Sequence, residues 1–222
     1  MYEDTPEDLV SERLAAAVYQ GTPLARPILG RASTLEGMTG EWLAQWQRKH
    51  YHAGNLVAAL AGKFSPAQAD SLRDLLASLP SGLPAQSAPA AYRPAVTARR
   101  KAIEQNHLIL AFPAPSYLDD RRPQVMLLNA LLGGGCSSRL FQQLREERGL
   151  CYSVYSYVAD HADTGLLGIY AAVSRDQEWA ALEGARRVAL ELADHGPSQE
   201  EVDRVREQAK AKIGRASCRE RV

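Results

Sequence analysis

Neither sign of charge predominates in this sequence: 26 Lys and Arg balance 26 Asp and Glu, and the formal net charge is zero. No basic stripe is present, so neither a nucleic-acid partner nor an anionic membrane surface is expected. No apolar run approaches membrane-spanning length. The opening MYEDTPEDLV is acidic and has no apolar h-region. No secretory signal is therefore visible, and a cytoplasmic location is expected. Cysteine is sparse: Cys136, Cys151 and Cys218 form no CxxC pair and no metal-ligand spacing, which points to reduced thiols and away from a disulfide scaffold. The five histidines make no ligand pattern either. His50 and His52, two apart, do not share a helix face. There is no short-period repeat. The one glycine-rich run, Gly133-Gly134-Gly135, lacks a following Gly-Lys-Ser/Thr and lies between helical patterns, which argues against a P-loop.

What is present is an ordinary globular composition, 45% hydrophobic and 23% charged over 222 residues, enough for one large domain or two small ones. Thr5-Pro6 followed by Glu7 and Asp8 opens a helix expected to reach about Gln20, with Val10, Leu14, Ala17 and Val18 on one face and Gly21 as terminator. A second helix from about Thr39 carries Trp42, Leu43 and Trp46, with the tryptophans expected in core packing. Leu56 to Ala61 reads as a short buried strand, and Ser65-Pro66 caps a helix bearing Leu72, Leu75, Leu76 and Leu79. Residues 80–100 are rich in Pro, Ala and Ser, the composition of a semi-extended linker.

Beyond the linker a strand is expected at 107–112, then helices at 123–132 and 138–148 flanking the triple glycine. Gly149 is placed to stop the second of these in the left-handed conformation. Cys151 to Val158 alternates with the two-residue period of a strand and forms a hairpin with 164–173 over His161 to Asp163. A long helix over 176–195 follows, and Ser198 with Glu201 makes a capping box for one more. The class is α+β: a largely antiparallel sheet with helices packed on one face. The last ten residues, 213–222, depart from this order. Gly214 interrupts the helical pattern, no apolar stripe remains, and the run can be written as translated sequencing-adapter DNA. They are read as a non-native tail, against the alternative of a natural basic terminus.

Residues 131–173 carry the strongest signal. Gly133-Gly134-Gly135, Ser137-Ser138-Arg139-Leu140-Phe141, Arg145 and Arg148-Gly149-Leu150-Cys151-Tyr152-Ser153 closely resemble the C-terminal domain of the M16 (insulinase and mitochondrial processing peptidase) zinc metallopeptidases. Tyr2 to Leu9, Pro23-Leu24, Pro27 to Gly30, His50-Tyr51, Asn55 to Val57 and Ala61-Gly62 resemble the middle of that family's N-terminal domain. The resemblance reaches about Lys212. It implies residues 1–79 as the distal part of the catalytic domain, 80–100 as linker and 101–212 as a truncated C-terminal domain.

The family's catalytic signature is His-x-x-Glu-His with a further downstream Glu, and no histidine here sits in such a motif. By the match, every zinc ligand would precede Met1, so zinc is expected in a full-length parent and none on this chain. Asp8 falls where relatives carry an extra acidic residue, though an Asp in a first helical turn also simply complements the helix dipole. The resemblance assigns catalytic roles to Arg145 and Tyr152, seven residues apart. The Arg would hold substrate carbonyls through its fork, and the Tyr would stabilise the oxyanion formed on the peptide carbonyl. Without the motif they would read as a charged helix face and an ordinary strand aromatic. Tyr155, on the other strand face by alternation, is expected to be functionally silent. Gly133, Gly134 and Gly135 are assigned to substrate handling by the same resemblance, with a plain interhelical turn as the alternative. Cys151 reads as a small apolar filler, His107 as a core histidine and Arg139 as a rim salt bridge or, as readily, a functional residue.

The expectation is thus a metalloendopeptidase fragment, inactive alone, acting on a peptide substrate in its parent. Its partners would be that peptide and a second M16 chain or another copy of itself. The alternatives are a non-catalytic M16 partner subunit and a structural subunit of the respiratory core-protein type.

Overall fold

The computed structural model describes residues 5–84 and 88–219, with residues 212–219 described as backbone only. The described chain forms two compact units, residues 27–88 and the remainder.

The larger unit is built on a three-stranded antiparallel sheet of β1 (Asn106–Ala114), β2 (Ser153–Asp160) and β3 (Gly165–Val173), in the order β1-β3-β2. The central strand is the most apolar, GLLGIYAAV, and all nine of its residues are buried. Its register sets two faces. Leu167, Ile169, Ala171 and Val173 stand beside Val154 and Val158 of β2 and Leu108 and Leu110 of β1. This face meets Leu132, Leu140, Leu144, Ala181, Ala185, Val188 and Leu192 in one core. Those residues come from helix Arg122–Gly133, a π-helical segment Phe141–Glu146 with the residues just before it, and helix Glu178–His195. Helix Gln199–Arg219 follows, opened by the expected capping box: the Glu201 amide donates to Ser198 Oγ at 3.2 Å and the Ser198 amide to Glu201 Oε2 at 2.7 Å. Its backbone stays helical through Gly214, where the sequence pattern placed a break.

The second sheet face is also covered, although the expectation placed helices on one face only. Helix α1 (Pro6–Val18) lies over it. Val18 and Tyr19, 1% exposed each, pack with Leu166 and Ala90, and with Tyr157 and Ala159 beside them. Tyr155 Oη donates to Glu7 Oε1 at 2.7 Å, and Tyr155 stacks on its cross-strand neighbour Tyr170 with centroids 4.8 Å apart. The expected grouping of residues 1–26 with 27–79 therefore differs from the compact units. The cause is the aromatic face of the sheet, which needs an apolar cover. The described part of the expected semi-extended linker is tied to the larger unit. Residues 88–100 have no helix or strand but are not a free spacer. The Ala90 amide donates to Asp163 Oδ2 at 2.6 Å, the Arg93 amide to the Val18 carbonyl at 2.8 Å, and Tyr92 Oη to the Ala111 carbonyl at 2.8 Å.

The smaller unit holds α2 (Ala32–Leu35), α3 (Gly40–His50) and α4 (Pro66–Ala77). Caps form as the sequence implied: the Trp42 amide donates to Thr39 Oγ1, and Ser65 with Gln68 makes a full capping box. Its apolar residues are not enclosed. Trp42 and Trp46 are 43% and 45% exposed, so they are not core residues here, and Trp46 instead stacks on His50 at 4.6 Å. Leu56 to Ala61 forms no strand, because no described segment pairs with it, and Val57 is 98% exposed. In chain order the helices of the larger unit after α4 are α5 (Arg122–Gly133), α6 (Glu178–His195) and α7 (Gln199–Arg219).

Candidate functional site

The π-helical segment positions the first candidate residue. Its wider turn is visible in the Glu147 amide bonding to the Gln142 carbonyl five residues back, at 2.9 Å. Such segments are rare and concentrate at functional sites. Leu140 and Leu144, fully buried, pin one side to the core, while Arg145 projects from the exposed side. Gly149 then takes φ +59°, the left-handed conformation expected of it. The Gly149 amide reaches the Arg145 carbonyl at 3.2 Å and the Leu150 amide reaches the Leu144 carbonyl at 2.8 Å. The chain turns directly into the sheet, where the Tyr152 amide donates to the Ala172 carbonyl at 3.0 Å.

This turn brings Arg145 and Tyr152 together. The Arg145 guanidinium carbon lies 5.9 Å from the Tyr152 ring centroid and 4.8 Å from that of Phe141, within cation–aromatic range. Tyr152 is 73% exposed. Among the described residues its hydroxyl makes no hydrogen bond and no carboxylate pairs with Arg145. Both groups are thus held by backbone and ring contacts while their donors face outward. A groove of about 490 Å³ opens beside Tyr152, lined by Glu104, Gln105, Gly149, Leu150, Cys151, Tyr152 and Ser174, with Arg145 outside that lining. Cys151 is buried beneath, and burial raises its thiol above its ordinary value while the Arg145 charge opposes the shift. That suits an apolar filler, not a nucleophile.

The three glycines differ from one another. Gly133 is buried at the end of α5, where an added Cβ would stand 2.3 Å from the Ser156 amide nitrogen. Its missing side chain serves helix–sheet approach. Gly134 and Gly135 are exposed, and Gly135 has open space around it. Arg139 forms the rim salt bridge, its Nε and Nη2 each 2.7 Å from Glu201 carboxylate oxygens, with Nη2 also donating to the Gly196 carbonyl. The Arg139 hydrogen bond draws the Glu201 carboxyl down to about 2. His107 bonds through Nδ1 with Tyr170 Oη at 2.7 Å, and burial lowers its pKa. Asp8 is exposed in the first turn of α1.

Tyr155 faces α1, and its hydroxyl is engaged there. Burial first, then the Glu7 hydrogen bond, raise its phenol well above the ordinary value, and it ties α1 to the sheet. No sequence rule pairs positions 7 and 155, because the link is made by the fold. Among the described residues no group of three or more His, Cys, Asp or Glu is placed to hold a metal ion, so these residues do not fit a zinc donor set. No described helix is long and apolar enough to cross a membrane.

Residues 37–209 match the family described as the peptidase M16 inactive domain, a match that runs through both compact units. The chain is 36% identical over 214 residues to an uncharacterized zinc protease of Streptomyces coelicolor, aligning 92% of this chain with 47% of that protein. It spans about half the length of the curated relatives it matches. A peptidase M16 inactive domain from Pseudomonas fluorescens superposes with TM-score 0.86 at 30% identity, over 94% of this chain and 52% of that one. A chain of complex III from Candida albicans superposes with TM-score 0.84 at 22% identity, over 96% of this chain and 54% of that one, a likeness of fold alone. The chain belongs to the peptidase M16 family.

Proposed function

We propose that this chain is the substrate-engaging part of an M16 zinc metalloendopeptidase, carrying an Arg145–Tyr152 pair and not the zinc site. The observation that supports it best is the joint exposure of the two side chains across the Gly149 turn, with Tyr152 lining a groove. Arg145 presents a planar fork suited to two carbonyl oxygens of an extended peptide. Tyr152 presents a hydroxyl donor, suited to a carbonyl oxygen as negative charge develops on it. Gly134 and Gly135 leave backbone accessible for a passing peptide, while Gly133 serves packing. Zinc belongs to the parent in this reading, because relatives are named zinc proteases and the described residues here supply no donor set. The reading places residues 1–79 and 101–212 as parts of the two family domains, a cytoplasmic parent, and a second M16 chain or another copy as partner.

The alternative, a non-catalytic M16 partner or core-protein-like subunit, draws on the likeness of fold to the complex III chain. The two separate on the reading frame immediately 5′ of codon 1. A His-x-x-Glu-His there selects the peptidase, and an intact frame without it selects the partner subunit. In a zinc-bearing parent, Arg145→Ala is expected to raise KM for a peptide substrate as well as lower kcat, with zinc content unchanged. An unaltered KM would remove Arg145 from substrate binding.

A further inference from the structure

A second cavity, of about 620 Å³, opens between α1, the segment 97–103, the start of β1 and the loop after β3. Four of its fifteen lining residues are arginines, Arg13, Arg99, Arg100 and Arg175, against one carboxylate, Glu178, among the described residues. In a chain whose charges cancel, this imbalance is local and made by folding. Arg99 and Arg100 are consecutive at the end of the segment that composition marked as a linker. Arg13 holds that segment to α1, its Nη2 donating to Thr97 Oγ1 at 2.8 Å and the Ala98 carbonyl at 3.0 Å. Glu178, whose Oε1 accepts from Asn106 Nδ2, offsets only part of that positive charge. The floor is apolar, formed by Leu9, Val10, Ile103 and Leu108.

The cavity is also next to the Tyr152 groove. Their linings interleave at neighbouring positions: Ile103 with Glu104, Asn106 with Gln105, and Arg175 with Ser174. Both sit at the end of the sheet where β1 and β2 begin and β3 ends. A volume in the range of small-ligand sites, an apolar floor and a predominantly cationic wall favour an anion attached to an apolar body. Arginine forks match carboxylates in particular.

We infer that this cleft is a carboxylate-binding subsite for peptides, taking acidic side chains or a free C-terminus flanked by apolar residues. The inference deepens the peptide-binding reading of the adjacent groove and rests on it for the peptide class. It is tested by binding to the chain itself, which needs no turnover, so its failure and that of the Arg145–Tyr152 assignment are separable.

The probe is a fluorescein-labelled peptide, Leu-Glu-Leu-Glu-Leu, with a free C-terminus, titrated by anisotropy into the full chain at low salt. Three companion peptides are compared: its C-terminal amide, its Glu-to-Gln version with a free C-terminus, and the fully uncharged Gln-amide. Saturable binding of the acidic peptide is expected, weakening with salt. Loss of affinity on amidation assigns the C-terminus, and loss on Glu-to-Gln exchange assigns the side chains. Arg99→Ala combined with Arg175→Ala, both exposed, should weaken binding about tenfold or more, as expected for lost charge-assisted bonds. Circular dichroism should be unchanged. Equal binding of the uncharged peptide, absence of saturable binding, or wild-type affinity in the double variant would each overturn the subsite. Inorganic phosphate displacing nothing at matched ionic strength supports the peptide class. If it instead competes as well as the unlabelled acidic peptide, the apolar floor has no part and the peptide assignment falls.

Discussion

The two compact units differ in what their apolar residues accomplish. In the larger unit, Leu140, Leu144, Ile169 and Val188 are at most 2% exposed and meet across one sheet face. In residues 27–88 the capping is as good, yet none of the described residues is buried, and Trp42, Trp46 and Leu75 are 43%, 45% and 63% exposed. Local sequence signals therefore suffice to draw helices in both units. Only the larger encloses a buried core, and long-range burial is what converts a pattern into stability. The functional candidates follow that division. Arg145 and Tyr152 stand on the well-packed unit, where buried neighbours on either side of them fix their geometry.

The comparison breaks first at paired leucines. Leu144→Ala should cost about 2–5 kcal/mol, the range for emptying a packed core site. Leu75→Ala should stay within about 0.5 kcal/mol, as for surface positions. Urea denaturation followed by circular dichroism measures both. Equal losses would mean that residues 27–88 hide a core that the fold does not display.

A smaller effect sharpens the account within the larger unit. Arg139→Ala should cost about 1.5–3 kcal/mol, the worth of hydrogen bonds to a charged group. The same pair gives a pH dependence. Glu201 is drawn from 4.5 to about 2 by Arg139, so its folded pKa is depressed. The stabilisation is then complete above about 4.5 and drains away as the pH falls toward 2. Denaturation midpoints of wild type and Arg139→Ala should converge over that window. A constant gap would remove Glu201 from the link.

The distance between pattern and packing also marks how far the sequence could be read. The strands at 107–112, 150–158 and 164–173 were legible because alternation and the His161 turn are local, and β1, β2 and β3 stand there. Gly149 was legible as a helix stop because only its short-range turn chemistry matters. The Arg145–Tyr152 juxtaposition was legible through that stop, since one turn separates helix from strand. Illegible were the links between distant positions: Glu7 to Tyr155, Ala90 to Asp163 and Arg13 to Thr97. Composition called residues 80–100 a linker, and nothing in composition says that Tyr92 will dock on Ala111. Leu56 to Ala61 failed as a strand for the complementary reason, since a strand needs a partner that its own residues cannot supply. Gly133 shows the same limit at a single residue. The run of three glycines reads as one loop, but folding puts the first into helix–sheet contact and leaves the third open.

That contrast gives the smallest stability effect. Gly133→Ala, forced against Ser156, should destabilise by about 1–3 kcal/mol through overpacking. Gly135→Ala, with open space, should be within about 0.5 kcal/mol. Thermal unfolding of the two variants is the check. A neutral Gly133→Ala would show that α5 and β2 approach less closely than described.

The claim on which the functional account turns is that Tyr152 donates to the reacting carbonyl of a peptide. The direct test is Tyr152→Phe in a zinc-bearing parent, or in complex with a zinc-bearing partner chain, assayed beside Tyr117→Phe. Tyr117 is a suitable control: it is 55% exposed, and its amide bonds the His161 carbonyl at the opposite end of the sheet. Tyr152→Phe is expected to lower kcat by about 10²- to 10³-fold, as for loss of an oxyanion donor, with zinc content and circular dichroism unchanged. A kcat for Tyr152→Phe no lower than that of Tyr117→Phe would contradict that claim and return Tyr152 to the role of a surface aromatic.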